Sequence, residues 1–160
     1  MSPEQIQRFF RVLAKEFTMP ATVILTGAAV GSILARVRAS HAIDFAMTPA
    51  RTDPATWSLI ETAIARTERL TGIEAQYAED IDRWSSVSLL DYRQHTRRYR
   101  RFGALEVRLL EPTYWAIGKL SRYLPQDKDD LTVVFAVQRR PAASLIRLWA
   151  RTLRESPRSQ

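Results

Sequence analysis

Hydrophobic positions in the first twenty residues repeat at helical spacing. Ile6, Phe9, Phe10, Leu13 and Phe17 share one face, with polar or charged residues around them. Ser2, Pro3 and Gln5 predict the start of this helix: a serine cap, a proline at the first position and a glutamine closing a capping box. Pro20 ends it. The period then changes. Residues 22–25 form a short β-branched run that reads as a buried strand, broken by Gly27. Residues 28–37 are small, apolar and helix-compatible. Residues 42–47 alternate as a second strand, with Ala42, Asp44 and Ala46 on one face and Ile43, Phe45 and Met47 on the other.

Asp53 and Pro54 open a further helix that turns Trp57, Ile60, Ile64 and Leu70 inward, with Gly72 as its stop. Ile73, Ala75 and Tyr77 alternate as a third strand. Residues 80–101 are charged, contain Trp84 and follow neither period. Gly103 marks a turn before a fourth strand at 105–110. Helices are predicted over 112–123, about 127–138 and 141–153, and residues 156–160 read as a frayed tail. Strands and helices alternate early, and helices gather late. The pattern predicts an α/β (α+β) fold: one domain over 1–155, a mixed sheet of about four to five strands with helices packed on it, and a helical C-terminal part.

Composition narrows the class. The chain has 160 residues, 46% of them apolar, enough for one core. There is no cysteine, which excludes a disulfide framework, a thiolate metal site and a cysteine nucleophile. The N-terminus lacks the basic-then-apolar order of a secretory signal. The least polar stretch, 23–35, is too short to span a membrane and carries two glycines. A soluble, cytoplasmic protein with no membrane partner is the expectation.

Net charge is +7, mostly from arginine, which favours polyanionic partners: nucleic acid, nucleotide phosphates or an acidic protein. The densest cluster is Arg93, Arg97, Arg98, Arg100 and Arg101, interleaved with His95 and Tyr99. It suits an RNA surface, with arginine on phosphates and rings stacked on bases; it equally suits a solvated hairpin or a surface for an acidic protein. Arg139, Arg140, Arg147, Arg151 and Arg154 lie opposite Leu145, Ile146, Leu148, Trp149 and Leu153, as the solvated face of a helix would. The tryptophans read as core or interface residues, and an oligomer is compatible with this composition.

Two stretches carry chemistry. Residues 25–29, Leu-Thr-Gly-Ala-Ala, followed by Arg38-Ala39-Ser40-His41-Ala42-Ile43-Asp44-Phe45, resemble the signature of the polymerase-β-like minimal nucleotidyltransferases. In that superfamily a strand ends in a glycine turn, a helix follows, and the next strand bears Asp-x-Asp. Leu105-Glu106-Val107, then Tyr114 to Arg122 and Asp127-Lys128-Asp129-Asp130-Leu131, are similar to small bacterial nucleotidyltransferase-like domains related to the toxins of abortive-infection systems. The resemblance spans about residues 22–134. It implies that Thr26, Gly27, Ala28, Arg38 and Ser40 cradle a nucleoside triphosphate at a helix N-terminus. It also implies that Asp44 and Glu106 hold Mg²⁺, with Lys119 and Arg122 neutralising phosphate. A hydroxyl of an RNA (tRNA) or protein acceptor would then attack the α-phosphorus, as in toxin–antitoxin or defence systems.

The sequence also departs from that pattern. Thr26 stands at the usual first glycine. Ala42 stands where the first metal-binding aspartate belongs, so the two-metal site is incomplete. The second expectation is therefore a catalytically inactive homologue that binds nucleic acid or a partner protein through its basic surface; a basic nucleic-acid-binding domain unrelated to nucleotidyltransferases is the third. Several residues have plainer readings. Gly27 serves a tight turn, Asp44 an edge strand facing water, and His41 a loop. Lys119 and Arg122 pair with Asp127 and Asp130. Asp80-Ile81-Asp82 repeats the Asp-x-Asp spacing but follows Thr71-Gly72 with no room for a phosphate-binding helix, and reads as a solvated acidic loop.

Overall fold

The computed structural model describes residues 1–37, 41–81 and 86–156. The chain opens with α1 (Pro3–Glu16). The Ser2 hydroxyl accepts from the Gln5 amide at 3.3 Å and the Gln5 side chain accepts from the Ser2 amide at 2.7 Å, so the expected capping box is present. Then follow β1 (Ala21–Leu25), α2 (Gly27–Ala35), β2 (Ala42–Pro49), α3 (Pro54–Thr71) and β3 (Glu74–Ala78). β4 (Thr96–Phe102) and β5 (Leu105–Leu110) form a hairpin, and α4 (Pro112–Arg122), α5 (Pro125–Gln138) and α6 (Ala142–Glu155) complete the described chain. The fold is mixed α+β, as the pattern predicts. Among the described residues, no helix is long and apolar enough to cross a membrane.

The five strands form one mixed sheet in the order β3-β2-β1-β5-β4. β1 runs antiparallel to β2 and parallel to β5, β2 runs parallel to β3, and β4 runs antiparallel to β5. One face is apolar. Phe45 of β2 packs edge-on against Phe9 and Phe10 of α1, at centroid distances of 6.0 and 5.6 Å, and stacks on Tyr77 of β3. Trp57 of α3 leans on the same Tyr77. These aromatic contacts fix α1 and α3 over that face, each adding a modest preference beyond the area buried.

The other face carries Ile24, Asp44, Ala46, Glu106 and Arg108, by strand alternation and register. Beside it, α2 and α4 are clasped. Trp115 Nε1 donates to the Gly27 carbonyl at 2.7 Å, and a Cβ added at Gly31 would lie 3.1 Å from the Trp115 ring. α5 packs on α2 and α4, and α6 packs on α4.

Three elements differ from the sequence pattern. β4 escapes it because this strand is an edge with a single neighbour; only Thr96 and Phe102 are buried, so no apolar alternation develops. A bulge between Arg98 and Arg100 also takes Tyr99 out of register. Leu70 is 60% exposed instead of inward: the buried stripe of Ile60, Ala63, Ile64 and Thr67 stops short of it, in the last turn of α3. Ile146 and Leu153 of α6 are also exposed.

Candidate functional site

The site begins at the end of β1. Gly27 has φ +57°, a left-handed conformation that lets α2 start directly at the strand end. Thr26 takes the cap position of α2 but makes no side-chain cap. Asp44 does this from the neighbouring strand: its carboxylate accepts the Ala28 amide, and its carbonyl accepts the Thr26 amide at 2.9 Å. A Cβ at Gly27 would lie 2.8 Å from the Asp44 Cγ, so glycine is required here by space as well as by φ.

A cleft of about 280 Å³ opens beside this turn. Thr26, Gly27, Asp44 and Gln76 line its sheet side, and Ile81, Val87, Leu110, Trp115, Lys119 and Arg122 close it. Burial pushes the Asp44 carboxyl above the usual aspartate range, against the opposing pull of Arg122, Lys119 and the Ala28 amide. A half-sequestered carboxyl that takes up a proton readily is the cleft's main chemical feature.

The cations beside it are already matched. Lys119, only 2% exposed, donates to Asp127 Oδ1 at 2.9 Å and to Asp130 Oδ2 at 2.7 Å. Its Nζ lies 5.5 Å from the Trp115 ring. Arg122 Nη2 donates to the same Asp127 oxygen at 2.9 Å, while most of its side chain stays in solvent. Burial acts to raise the Asp127 carboxyl, yet Lys119 and Arg122 together hold it below its ordinary value. Two cations thus face Asp127, Asp130 and Asp44, and Lys119 belongs to the buried network that ties α4 to α5. This is the plainer of its two sequence readings.

Glu106 does not join Asp44. It shares Asp44's face, as alternation predicts, but pairs in register with Thr22, whereas Asp44 lies level with Thr26. Four residues of strand, roughly 13 Å, separate the two levels. Glu106 instead accepts from Arg108 Nη1 at 2.6 Å, beside a separate shallow depression with Thr22, Thr48 and Arg101. The β5 side chain that reaches Asp44's cleft is Leu110, an apolar residue. With Ala42 one step back on β2 and Leu110 opposite, the residues present do not fit a pair of Mg²⁺ ions. Among the described residues no group of three His, Asp or Glu side chains converges to hold a metal.

Arg38, Ser40, Asp82 and Trp84 lie outside the described residues. His41 is exposed just before β2. Asp80 is not a free acid in a loop: it accepts from the Tyr92 hydroxyl and from Arg93 at 2.5 Å, so Arg93 is neutralised at one end of the basic run. Sequence reading missed a cluster next to it. His95 stacks on Tyr114 at 4.1 Å, and the Tyr114 hydroxyl donates to Asp91, which also meets Arg151. Burial and the Asp91 carboxylate push the Tyr114 hydroxyl up to about 12.

Arg97, Arg98, Arg100 and Arg101 project from β4 into solvent. Arg98 stands directly opposite Arg108, and Arg101 opposite Glu106. Arg100 reaches only the neutral Gln7, at 2.9 Å, and Arg101 the Gly103 carbonyl. Tyr99 departs from its expected stacking role: its ring packs against the core and its hydroxyl accepts from Gln7 at 3.0 Å. Compared with protein-family models, curated proteins and solved structures, the chain matches none.

Proposed function

We propose that this chain is a nucleotidyltransferase-like protein without nucleotide transfer, and that it binds single-stranded nucleic acid along β4. The observation that carries the reading is the row of four exposed arginines on the edge strand β4, Arg98 and Arg101 on one face and Arg97 and Arg100 on the other. Each phosphate of a polyanion lying along this edge that these arginines neutralise releases counterions. Neighbouring arginines on one face lie roughly 7 Å apart. A protein partner would want an apolar centre to its contact, and the exposed positions of β4 offer none.

Three features of the cleft support the absence of transfer. The α2 amide that a triphosphate would use is taken by Asp44, Lys119 is committed to two aspartates, and Leu110 supplies no carboxylate. The test has two arms. Fluorescence anisotropy with a labelled single-stranded RNA should show binding that weakens steeply with salt and is markedly weaker in an Arg97→Glu, Arg98→Glu variant. Incubation with each labelled nucleoside triphosphate, Mg²⁺ or Mn²⁺, and tRNA should leave label on neither RNA nor protein. Transfer that disappears in Asp44→Ala would restore the enzymatic reading; RNA binding unaffected by the double variant would remove the β4 assignment.

A further inference from the structure

We infer that the depression beside Glu106 reads a guanine in the single strand, with the Glu106 carboxylate as the recognising group, a role that rests on the strand binding proposed for β4. Thr48, Thr22, Glu106 and Arg101 are paired in register, one from each of β2, β1, β5 and β4, and so form a row across one face of the sheet. The row lines a depression of about 350 Å³, to which Pro20, Pro49 and Ala104 add apolar surface. Arg101 belongs both to this depression and to the exposed arginines of β4.

The polar groups are held in place. Arg108 donates to Glu106 Oε1 through Nη1 at 2.6 Å, and to Thr96 through Nε at 2.7 Å and Nη2 at 3.1 Å. A guanidinium fixed at three points fixes the carboxylate in turn, which makes Arg108 a positioning residue. Thr48 turns its hydroxyl to the Glu79 carbonyl at 3.4 Å, so the hydroxyl next to the carboxylate is that of Thr22. On the other side of Glu106, Arg101 Nε donates to the Gly103 carbonyl at 3.1 Å. The terminal nitrogens of that guanidinium meet the phosphate of the same nucleotide.

Base-edge chemistry selects the ligand. A carboxylate held by an arginine offers acceptors only. Unstacked bases of a single strand present their Watson–Crick edges. Guanine presents two adjacent donors, N1–H and the N2 amino group, and then the O6 acceptor. That order meets a carboxylate and then a hydroxyl, as Glu106 and Thr22 stand. Adenine and cytosine set one amino donor next to a bare ring nitrogen, which would face a carboxylate oxygen lone pair to lone pair. Uracil has one donor between two acceptors. A bidentate match of this kind separates the right base from a wrong one by about tenfold.

The test is fluorescence anisotropy of the full chain, at fixed salt, with short labelled oligouridine strands carrying one central guanosine, inosine, adenosine or uridine. The guanosine strand should bind about tenfold tighter than the adenosine and uridine strands, with inosine, which lacks the amino group, between them. Removing an acid strengthens a basic surface for every strand, so the readout is the ratio of affinities. Glu106→Gln should bring the guanosine-to-uridine ratio close to unity, and Thr22→Val should narrow it. If Glu106→Gln fails to fold, Thr22→Val decides. Equal affinities in the native chain, or a guanosine preference untouched by the variants, would overturn the inference. The β4 reading survives either result if binding is still salt-dependent and weakened by Arg97→Glu with Arg98→Glu. Failure of every strand to bind would end both.

Discussion

Two regions of this molecule handle positive charge in opposite ways. In the cleft beside β1, Lys119 is buried and bonded to Asp127 and Asp130, and Arg122 shares Asp127 with it. Along β4, Arg97, Arg98, Arg100 and Arg101 are exposed, and Arg98 faces another arginine. The cleft lies where the sequence resemblance would place a nucleotide, yet it has little cationic capacity left for phosphate. The edge strand lies outside that resemblance as a site, yet keeps its cations free. Motif position and electrostatic capacity are separable, and here they point to different parts of the fold.

The sharpest way to break the contrast is to remove Lys119. Lys119→Met leaves Asp127 and Asp130 buried without their main partner, and chemical denaturation should show a loss of about 3–5 kcal/mol. Charge removal at β4 should have almost no such effect. Arg97→Glu with Arg98→Glu should shift the unfolding midpoint only slightly, while the salt slope of single-stranded RNA binding falls by about 1.4 if each arginine meets one phosphate.

Gly27→Ala gives the next effect. The backbone conformation alone costs about 1–3 kcal/mol for a residue with a side chain, and the overlap with Asp44 adds to it. In the double variant with Asp44→Ala the overlap disappears, so the two changes should sum to less than their separate costs in a double-mutant cycle. Additive costs would mean that Asp44 does not occupy the turn.

The smallest effect is in pH dependence, and it has opposite signs for the two aspartates. Asp127 lies below its ordinary value in the folded chain. Its contribution is present above that ordinary value and is lost as pH falls through the lower folded one. Asp44 is raised, so its contribution is present at low pH and is lost as pH rises through the higher folded value. Urea midpoints against pH should therefore lose their acid-side fall in Asp127→Asn and their rise-side loss in Asp44→Asn. Identical profiles for the two variants would contradict both assignments.

Much of this was legible in the residues. The capping box of α1, the β1–Gly27–α2–β2 succession, the Gly72 stop and the three late helices all rest on local signals: side-chain caps, glycine turns and periodic burial. What the residues could not show were long-range facts. Alternation correctly put Glu106 on Asp44's face, but only register reveals that it lies four residues away along the sheet. β4 was hidden because one neighbour and a solvated edge impose no apolar period. Lys119 read as an ion-pair partner at least as well as a phosphate ligand, since the choice depends on how α4 and α5 pack.

The parallel pairing of β1 with β5 also bears on how the chain is made. Thr22 meets Glu106, so the central strand of the sheet stays half-paired until more than one hundred residues have been synthesised. Until then Val23, Ile24 and Leu25 offer an uncovered strand edge with an apolar face, the kind of template on which nascent chains associate with one another. A ribosome that stalls, or a protease that cuts, between β3 and β5 would release a fragment with that edge bare. The quality of a preparation should therefore depend more on translation reaching Leu110 than on anything that happens in the three helices beyond it.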